Sequence, residues 1–279
     1  MVEYKKFDNG FEYIEVSNKS ARAKIARQGA HLFHYERVGR KPLLWLSESS
    51  FFETGKAIRG GVPICWPWFG KHAIESSLPQ HGFARNVLWE LLEVNETHPC
   101  CTEVTLQLKS SVESLQLWPY RFELLMRFTV GRTLTIALTT KNCDEQPFEI
   151  TSALHSYFAV SDIEDVYVDG LDATAYFDAL TGENRVQQGS VYIAEEVDRV
   201  YQNVQYPLTL HDRDRIVQID GQGSSSAVVW NPWIDKCAGM GDMQDDGYRT
   251  MLCIETANAL QDDCEIVPGE EHALKVAIS

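Results

Sequence analysis

One ionisable side chain interrupts an otherwise apolar predicted strand. Both faces of residues 249–258 are apolar when the segment is extended, and Glu255 continues one of them. A glutamate is seldom fully buried without a partner or a use, because burial penalises its charged form. Burial also raises the pKa of the carboxyl group, which suits a general base near neutral pH. A buried structural ion pair is the alternative interpretation of Glu255.

A histidine lies on the less apolar face of a second predicted strand. The period of two predicts residues 148–158 as one strand, with His155 pointing away from the main core into a semi-polar surface. The apolar face comprises Phe148, Ile150, Leu154 and Phe158. A single histidine on a strand is most often hydrogen-bonded or exposed, so the position alone does not assign proton transfer to His155.

A loop rich in glycine, proline and aromatic residues spans residues 59–85. It has neither a helical nor a strand period, which indicates irregular structure, and its aromatic density argues against disorder. Ordered long loops in compact domains are usually functional. This loop presents Arg59, Gln80, His81 and Arg85. The alternative is that its arginines pair with surface carboxylates and its tryptophans fill core.

The sequence contains none of four common motifs: the nucleophile elbow GxSxG, the phosphate-binding GxGxxG and GxxxxGK[ST], and the zinc-binding HExxH. His31 and His34 would face opposite sides of a predicted strand. Asp242 begins a run like a calcium loop, but its twelfth position is Cys253 instead of glutamate. Cys65 is assigned to packing. We therefore expect no metal site.

Most readable elements alternate apolar and polar residues, which is typical of strands. Besides the two strands above, the predicted strands are residues 11–16, 21–26, 30–38, 87–94, 102–109, 122–130, 133–139, 166–168, 190–194, 207–220, 226–230 and 271–278. Before Pro119, a helical turn is predicted only near residues 111–117. No repeat or linker divides the chain, so we predict one all-β domain, a sandwich or barrel, over residues 1–279.

The bulk composition restricts partners and location. The net charge of −15 argues against nucleic acid and anionic membranes as partners, because both require basic surfaces. Seven scattered cysteines without framework spacing favour reduced thiols. The first residues contain no apolar signal core, and no run approaches the ~18 apolar residues of a membrane helix. We expect a cytoplasmic, soluble protein that acts as a monomer.

Six segments together resemble the hexose-6-phosphate mutarotases, a branch of the aldose 1-epimerase family also called glucose-6-phosphate 1-epimerases. The segments read RGGVPICWPWFG, LPQHGFAR, ALHSYF, EEVDRVY, WNPW and LCIETAN, and they occur in that order between residues 59 and 258. The resemblance implies a galactose mutarotase-like β-supersandwich. It also implies that the small-molecule substrate is an aldohexose 6-phosphate, whose α and β anomers are interconverted without a cofactor.

The resemblance also implies roles for individual residues. The histidine of ALHSYF is His155, which corresponds to the general acid on the ring oxygen. The glutamate of LCIETAN is Glu255, which corresponds to the general base on the C1 hydroxyl. The positions that contact substrate in the family are Arg59, Gln80, Arg85 and Asp198, with His81 beside them as a further contact.

Two other functions stay open at this point. The first is a mutarotase of unphosphorylated aldoses such as glucose or galactose. Arg59 and Arg85 argue against it only if both reach the pocket. The second is a non-catalytic carbohydrate-binding sandwich. Trp66, Trp68 and Trp230 either offer an apolar platform to a sugar face or belong to the core.

Overall fold

The computed structural model describes residues 1–213 and 215–279, apart from the Thr97 side chain. The first twelve strands are β1 (Val2–Lys6), β2 (Glu12–Ser17), β3 (Ala21–Ala26), β4 (His31–Arg37), β5 (Ile64–Cys65), β6 (Glu90–His98), β7 (Cys101–Lys109), β8 (Phe122–Val130), β9 (Leu134–Asn142), β10 (Phe148–Ile150), β11 (Ser152–Leu154) and β12 (Tyr157–Ala159). The later strands are β13 (Val166–Asp169), β14 (Ala175–Asp178), β15 (Glu183–Val186), β16 (Val191–Tyr192), β17 (Val197–Gln202), β18 (Leu208–Asp212), β19 (Arg215–Gln222), β20 (Ser226–Asn231), β21 (Met251–Asn258), β22 (Cys264–Ile266) and β23 (Glu271–Ile278).

Helices contribute little to the described residues. The α-helices are α1 (Val112–Leu117) and α2 (Trp233–Ala238), and the 3-10 helices are Ala84–Asn86, Ile163–Asp165, Gly247–Thr250 and Leu260–Asp262. Helix α1 begins at a capping box in which Ser111 and Ser114 bond each other's backbone N–H groups. Its position confirms the helical turn predicted near residues 111–117. Helix α2 was not predicted.

Two large antiparallel sheets form the body of the protein. One has nine strands in the order β16-β13-β18-β19-β23-β9-β8-β7-β6. The other, which we call the site sheet, has the order β15-β14-β17-β20-β21-β11-β5, with β12 also paired to β21. A four-stranded sheet, β1-β2-β3-β4, and the pair β10-β22 complete the architecture. The all-β prediction is confirmed.

The largest apolar cluster contains side chains from both large sheets. Strand β9 alternates buried and half-buried positions along its whole length, and Leu134, Ile136 and Leu138 lie in this cluster, as their spacing predicted. In the site sheet, Leu252 and Ile254 of β21 join the same cluster, whereas Cys253 belongs to a second cluster on the other face of the sheet. The site sheet is therefore covered by apolar residues on both faces.

The prediction of one continuous strand over residues 148–158 is wrong. The segment forms β10, β11 and β12, with breaks at Thr151 and at His155. At the first break, the N–H of Thr151 donates to the Pro67 carbonyl at 3.1 Å, and its hydroxyl accepts from the N–H of Phe69 at 2.8 Å. The tertiary contacts of the preceding loop replace ladder hydrogen bonds here, and they divide the strand.

Candidate active site

Glu255 lies in β21, an interior strand of the site sheet in which all eight residues are buried. Its side chain is on the same face as Cys253 and Ala257, opposite the main core, because side chains alternate along a strand. Only 1% of Glu255 is exposed. The predicted burial of this glutamate in a strand apolar on both faces is confirmed.

His155 lies at the break between β11 and β12. Both short strands pair with β21, so the break brings His155 beside the middle of that strand. The N–H of His155 donates to the Pro63 carbonyl at 3.0 Å, and the N–H of Ser156 donates to the Leu154 carbonyl at 2.9 Å. The side chain faces away from the main core, as predicted, and it is buried, with 8% of its surface exposed.

The two candidate catalytic side chains are in direct contact. His155 Nε2 lies 3.3 Å from Glu255 Oε1. The other polar atoms of the pair, His155 Nδ1 and Glu255 Oε2, are buried without a hydrogen-bond partner. A buried polar atom without a partner costs free energy, and such atoms are common where a ligand completes the hydrogen bonding. The pair thus offers one free acceptor oxygen and one free ring nitrogen to a bound molecule.

Burial disfavours the charged forms of both members of the pair. It raises the pKa of Glu255 well above its ordinary value, with the negative charge of Asp198 adding to the rise. It lowers the pKa of His155 well below its ordinary value, with His81 and Arg85 adding to the fall. The raised pKa of Glu255 has the direction expected from the sequence. Perturbed pKa values of this kind cluster at functional sites.

Aromatic rings enclose the His155 imidazole. The Tyr157 ring stacks on it with centroids 4.8 Å apart and an interplanar angle of 9°, and Trp230 meets it edge-on at 6.0 Å. The His81 ring also meets it edge-on, at 5.8 Å. Tyr157 had no assigned role in the sequence analysis, although its position two residues after His155 placed both side chains on one face.

Trp230 therefore borders the candidate site, whereas the other two candidate platform residues are held elsewhere. Trp66 is fully buried in the main core and donates from Nε1 to Thr140 Oγ1 at 3.1 Å. Trp68 is 8% exposed and donates to the Pro79 carbonyl at 2.9 Å. For Trp66 and Trp68, the core alternative is the better description.

The loop over residues 71–80 is closed at its base by two hydrogen bonds. The N–H of His81 donates to the Gly70 carbonyl at 2.7 Å, and the N–H of Gly70 donates to His81 Nδ1 at 3.1 Å. His81 adopts φ of +65°, and burial lowers its pKa to about 3, so its ring stays neutral. We call this pair of bonds the loop neck. It fixes the imidazole that touches His155.

The two arginines of the loop have different partners. Arg59 donates from Nε to Asp242 Oδ2 at 3.1 Å, and its Nη2 forms an ion-pair contact with the same oxygen at 3.0 Å. It also donates from Nη1 to Tyr157 Oη at 3.0 Å. Arg85 donates from Nη2 to the Gln80 carbonyl at 2.8 Å, and its Nε is buried without a partner. The positive charge of Arg85 acts on both Glu255 and His155. Hence Arg85 is the more available cation beside the pair.

Asp198 lies on β17, two strands from Glu255. It is opposite Trp230 in the ladder, and Trp230 is opposite Cys253, which places Asp198 on the face that carries Glu255. Burial raises its pKa. Asp198 also lines a cavity of about 500 Å³ with Trp233. His155 and Glu255 do not line this cavity.

Gln80 is exposed at the end of the loop, where its carbonyl accepts from Arg85. The structure thus brings His155, Glu255 and His81 into contact and places charges of Arg59, Arg85 and Asp198 around them, whereas Gln80 lies at the rim. Asp242 contributes a contact that the sequence analysis did not predict.

Neither a metal-binding cluster nor a membrane-spanning helix occurs among residues 1–213 and 215–279. Among them, no group of three or more His, Cys, Asp and Glu side chains is arranged to hold a metal ion. None of their helices is both long and apolar enough to cross a membrane.

This arrangement is suited to proton transfer. The buried carboxyl group of Glu255 and the imidazole of His155 are in contact. Each keeps one polar atom without a hydrogen-bond partner, and the positive charge of Arg85 lies beside them. A general acid and a general base in contact can move two protons on one substrate without a metal. Similar proteins point to the same chemistry.

The aldose 1-epimerase family model matches residues 12–279. A protein of Escherichia coli, provisionally named glucose-6-phosphate 1-epimerase, is 41% identical over 252 residues, which cover 89% of this chain and 83% of the relative. A plant protein of Cenchrus ciliaris with the same provisional name is 36% identical and covers 100% of this chain and 87% of its own length. The crystal structure of a protein of Salmonella typhimurium, provisionally described as a mutarotase, has a TM-score of 0.93 at 37% identity, covering 99% of this chain and 92% of that one.

The predicted β-supersandwich is confirmed by this neighbour and by a galactose mutarotase-like protein of Clostridium acetobutylicum, which has a TM-score of 0.78 at 12% identity and covers 100% of this chain and 98% of that one. The fold, the matched range and the identities agree, and the chain belongs to the aldose 1-epimerase family.

Proposed function

We propose that this enzyme interconverts the α and β anomers of an aldohexose 6-phosphate, with glucose 6-phosphate as the reference substrate. The observation that carries the proposal is the buried contact between His155 and Glu255, in which each group keeps a free polar atom. Membership of an isomerase family supports the reaction type. The name shared by the relatives at 36–41% identity supports the phosphorylated substrate.

The proposed reaction needs two proton transfers and no redox step. Glu255 takes the proton of the C1 hydroxyl while His155 protonates the ring oxygen, so the C1–O5 bond breaks and C1 becomes an aldehyde. Rotation about the C1–C2 bond presents the other face of the carbonyl. The O5 hydroxyl then attacks C1, His155 takes back its proton, and Glu255 returns its proton to O1. Both groups finish in their starting states.

The pair must hold a single proton for this sequence. Burial favours the neutral arrangement, with the proton on Glu255, whereas the first step as written needs it on His155. The two arrangements differ only in the position of one proton across a 3.3 Å contact. They therefore interconvert within the pair and titrate as one coupled unit.

The phosphate group is assigned to the arginine side of the site. With a net charge of −15, the protein as a whole repels a dianion, so affinity must come from short-range contacts. Arg85 has a buried Nε without a partner, and guanidinium binds phosphate through directed, charge-assisted hydrogen bonds. We propose Arg59, Gln80, His81 and Asp198 as further contacts to the sugar phosphate.

The proposal also covers the working form and location of the enzyme. We propose a monomer formed by one domain over residues 1–279, active in the cytoplasm. The seven cysteines are all free, which supports a reducing compartment. Size-exclusion chromatography with light scattering tests the monomer, and a dimer mass would contradict it.

The decisive experiment compares anomer exchange for glucose 6-phosphate and glucose side by side, by polarimetry or saturation-transfer NMR. We expect the wild type to accelerate glucose 6-phosphate more strongly. His155→Ala and Glu255→Gln should each lower kcat by ~10²–10⁴, the range for loss of an acid or base, with smaller changes in KM.

Each alternative has its own signature in that experiment. Exchange at the buffer rate with both sugars, despite binding, would identify a carbohydrate-binding protein without catalysis. Faster exchange with glucose than with glucose 6-phosphate would favour a mutarotase of unphosphorylated sugars. Wild-type exchange in either single variant would remove that residue from the mechanism.

A further inference from the structure

We infer that Asp242 is a positioning residue, which acts through Arg59 and Tyr157 to hold the catalytic imidazole of His155. This inference rests on the proposed function, since it takes His155 as the proton donor. Asp242 lies in the segment between α2 and β21, 183 positions from Arg59 in the sequence. It is connected to the imidazole by three successive contacts.

The first contact joins Asp242 to Arg59. Asp242 Oδ2 accepts a hydrogen bond from Arg59 Nε at 3.1 Å and lies 3.0 Å from Nη2. The side chains are only 20% and 25% exposed, so solvent screens this pair less than an ordinary surface ion pair. The hydrogen bond and the ion-pair contact lie on the same edge of the guanidinium group and together restrict its plane. Asp242 thus sets the direction in which the remaining Arg59 nitrogen points.

The second contact joins that nitrogen to Tyr157. Arg59 Nη1 donates to Tyr157 Oη at 3.0 Å. Burial raises the pKa of Tyr157, so the group stays a neutral phenol that accepts this hydrogen bond. Tyr157 is 1% exposed, and its ring also stacks with Trp45 at a centroid distance of 6.0 Å. The hydrogen bond and the stacking together restrict the rotation of the Tyr157 ring.

The third contact joins the Tyr157 ring to the His155 imidazole, parallel at 4.8 Å. Packing has to orient the imidazole, because Nδ1 has no hydrogen-bond partner and Nε2 faces only Glu255. Most catalytic histidines are oriented by a group that accepts from the second ring nitrogen. Here the stacked phenol, held by Arg59 and Asp242, takes over that orienting function.

The hydrogen-bond partners of Arg59 and Arg85 indicate different roles for the two arginines. Three nitrogens of Arg59 are in contact with Asp242 and Tyr157, whereas Arg85 keeps a buried Nε without a partner. The partnerless donor of Arg85 suits a phosphate contact. Arg59 can hold Tyr157 through its engaged nitrogens while its other N–H groups stay available to the substrate. The charged and titratable groups around the imidazole are Glu255 from β21, Arg59, His81 and Arg85 from the loop, and Tyr157 from β12.

The test uses Asp242→Asn and Tyr157→Phe, assayed on both glucose 6-phosphate and glucose. We expect each variant to lower kcat by about 10-fold on both sugars, with KM within about twofold, because a displaced acid impairs the proton transfer that both substrates share. Asp245→Asn is the matched control, since it removes the same charge from an exposed position of the same segment. It should leave both rates unchanged.

The pH profile gives a readout that a general loss of stability would not move. Without the Asp242 carboxylate, the charge of Arg59 is uncompensated, and that charge lowers the pKa of His155. The acid limb of kcat/KM for glucose should therefore move to lower pH in Asp242→Asn. Tyr157→Phe removes no charge, so it should lower kcat and leave the limb in place.

Two results would overturn the inference. A loss confined to glucose 6-phosphate would make Arg59 and Asp242 part of the phosphate site. Equal losses on both sugars with unchanged pH limbs in Asp242→Asn, together with a lower unfolding temperature, would make the ion pair merely structural. Failure of the proposed function looks different, because the wild type would then exchange neither sugar above the buffer rate.

Discussion

At the scale of single residues, the site combines groups whose charges burial disfavours. Glu255 and His155 meet inside the protein, and Arg85, whose charge acts on both, has a buried Nε without a hydrogen-bond partner. Separating such a pair from water makes its proton easy to move and makes its environment sensitive to each neighbouring charge. Individual charges around the pair therefore control activity in ways that can be measured separately.

Arg85 should control the phosphate preference. Replacing it with methionine should lower kcat/KM for glucose 6-phosphate by about 10–100-fold, because a charge-assisted hydrogen bond contributes roughly 1.5–3 kcal/mol. The rate with glucose should change little. Arg85→Lys should restore part of the loss, since it keeps the charge without the planar fork. Equal losses on both sugars would show that Arg85 holds the loop instead of the phosphate.

Asp198 should control the alkaline limb of the pH profile. Its negative charge contributes to the raised pKa of Glu255, so Asp198→Asn lowers that pKa. Under the proposed mechanism, the pair is active with one proton and loses it as the pH rises through the Glu255 pKa. The alkaline limb of kcat/KM for glucose should therefore move to lower pH in the variant, while the acid limb moves less. A limb that stays in place would show that the Asp198 charge does not reach the pair.

At the scale of elements, the loop neck depends on a close approach between two backbone segments. Gly82 forms an isolated parallel β-bridge with Trp66, and its own φ is +71°. A Cβ on Gly82 would lie 1.9 Å from the Trp66 carbonyl oxygen. Any side chain at Gly82 must therefore push the two segments apart. His81, the neighbour that touches His155, would move with them.

Gly82→Ala tests this dependence, with Gly70→Ala as its control. Gly70 has a similar φ of +76°, but a Cβ there would meet no atom within 4 Å. Gly70→Ala should therefore cost only about 1–2 kcal/mol of backbone strain. Gly82→Ala should cost distinctly more and should lower kcat as well, as measured by urea unfolding and anomer exchange. Equal stability losses in the two variants would show that the close approach is not important.

Much of the strand pattern was predictable from the sequence, because local alternation and tertiary burial agree there. Strands β3 and β23 have the predicted bounds, at Ala21–Ala26 and Glu271–Ile278. Strand β15 was missed because all four of its residues are exposed, so burial leaves no alternation to detect. Strand β5 was missed because it has two residues and exists only through its pairing with β11. A contact distant in sequence, and no local pattern, therefore defines this strand.

The site was only partly predictable. An isolated carboxylate in an apolar strand identified Glu255 from local physics alone. His155 stood out only through the family resemblance, because its burial results from a strand break set by distant carbonyl groups such as that of Pro63. The contact of Asp242 with Arg59 joins residues 183 positions apart, and no local pattern encodes it.

At the scale of the whole molecule, the balance of charge and burial determines stability toward acid. His31 is 1% exposed and donates from Nε2 to the Gly60 carbonyl at 2.7 Å, and burial lowers its pKa to about 4. His81 is also held neutral, with a pKa of about 3. Unfolding lets both rings return to an ordinary pKa near 6.5.

The contribution of these two histidines to stability should therefore fall as the medium becomes acidic. Between pH 6.5 and 4 the unfolded chain binds protons at His31 and His81 that the folded chain does not, so their contribution to the free energy of unfolding decreases over this range and is constant above it. The raised pKa of Glu255 acts in the opposite direction. His31 alone should account for about 3 kcal/mol. Urea unfolding at pH 7 and pH 4 should show a smaller decrease in His31→Gln, and an equal decrease would contradict the assignment.

The loop neck also gives this protein a site where chain length can vary at little energetic cost. Because Gly70 and His81 hold each other, the exposed residues 73–77 between them can grow or shrink without moving the His81 and His155 rings. Doubling such a loop costs only about 0.6 kcal/mol of closure entropy. Insertions there would change the surface beside the site without replacing a site residue. A protein engineer can graft a reporter peptide at Ile74, which is 93% exposed, and leave the chemistry in place.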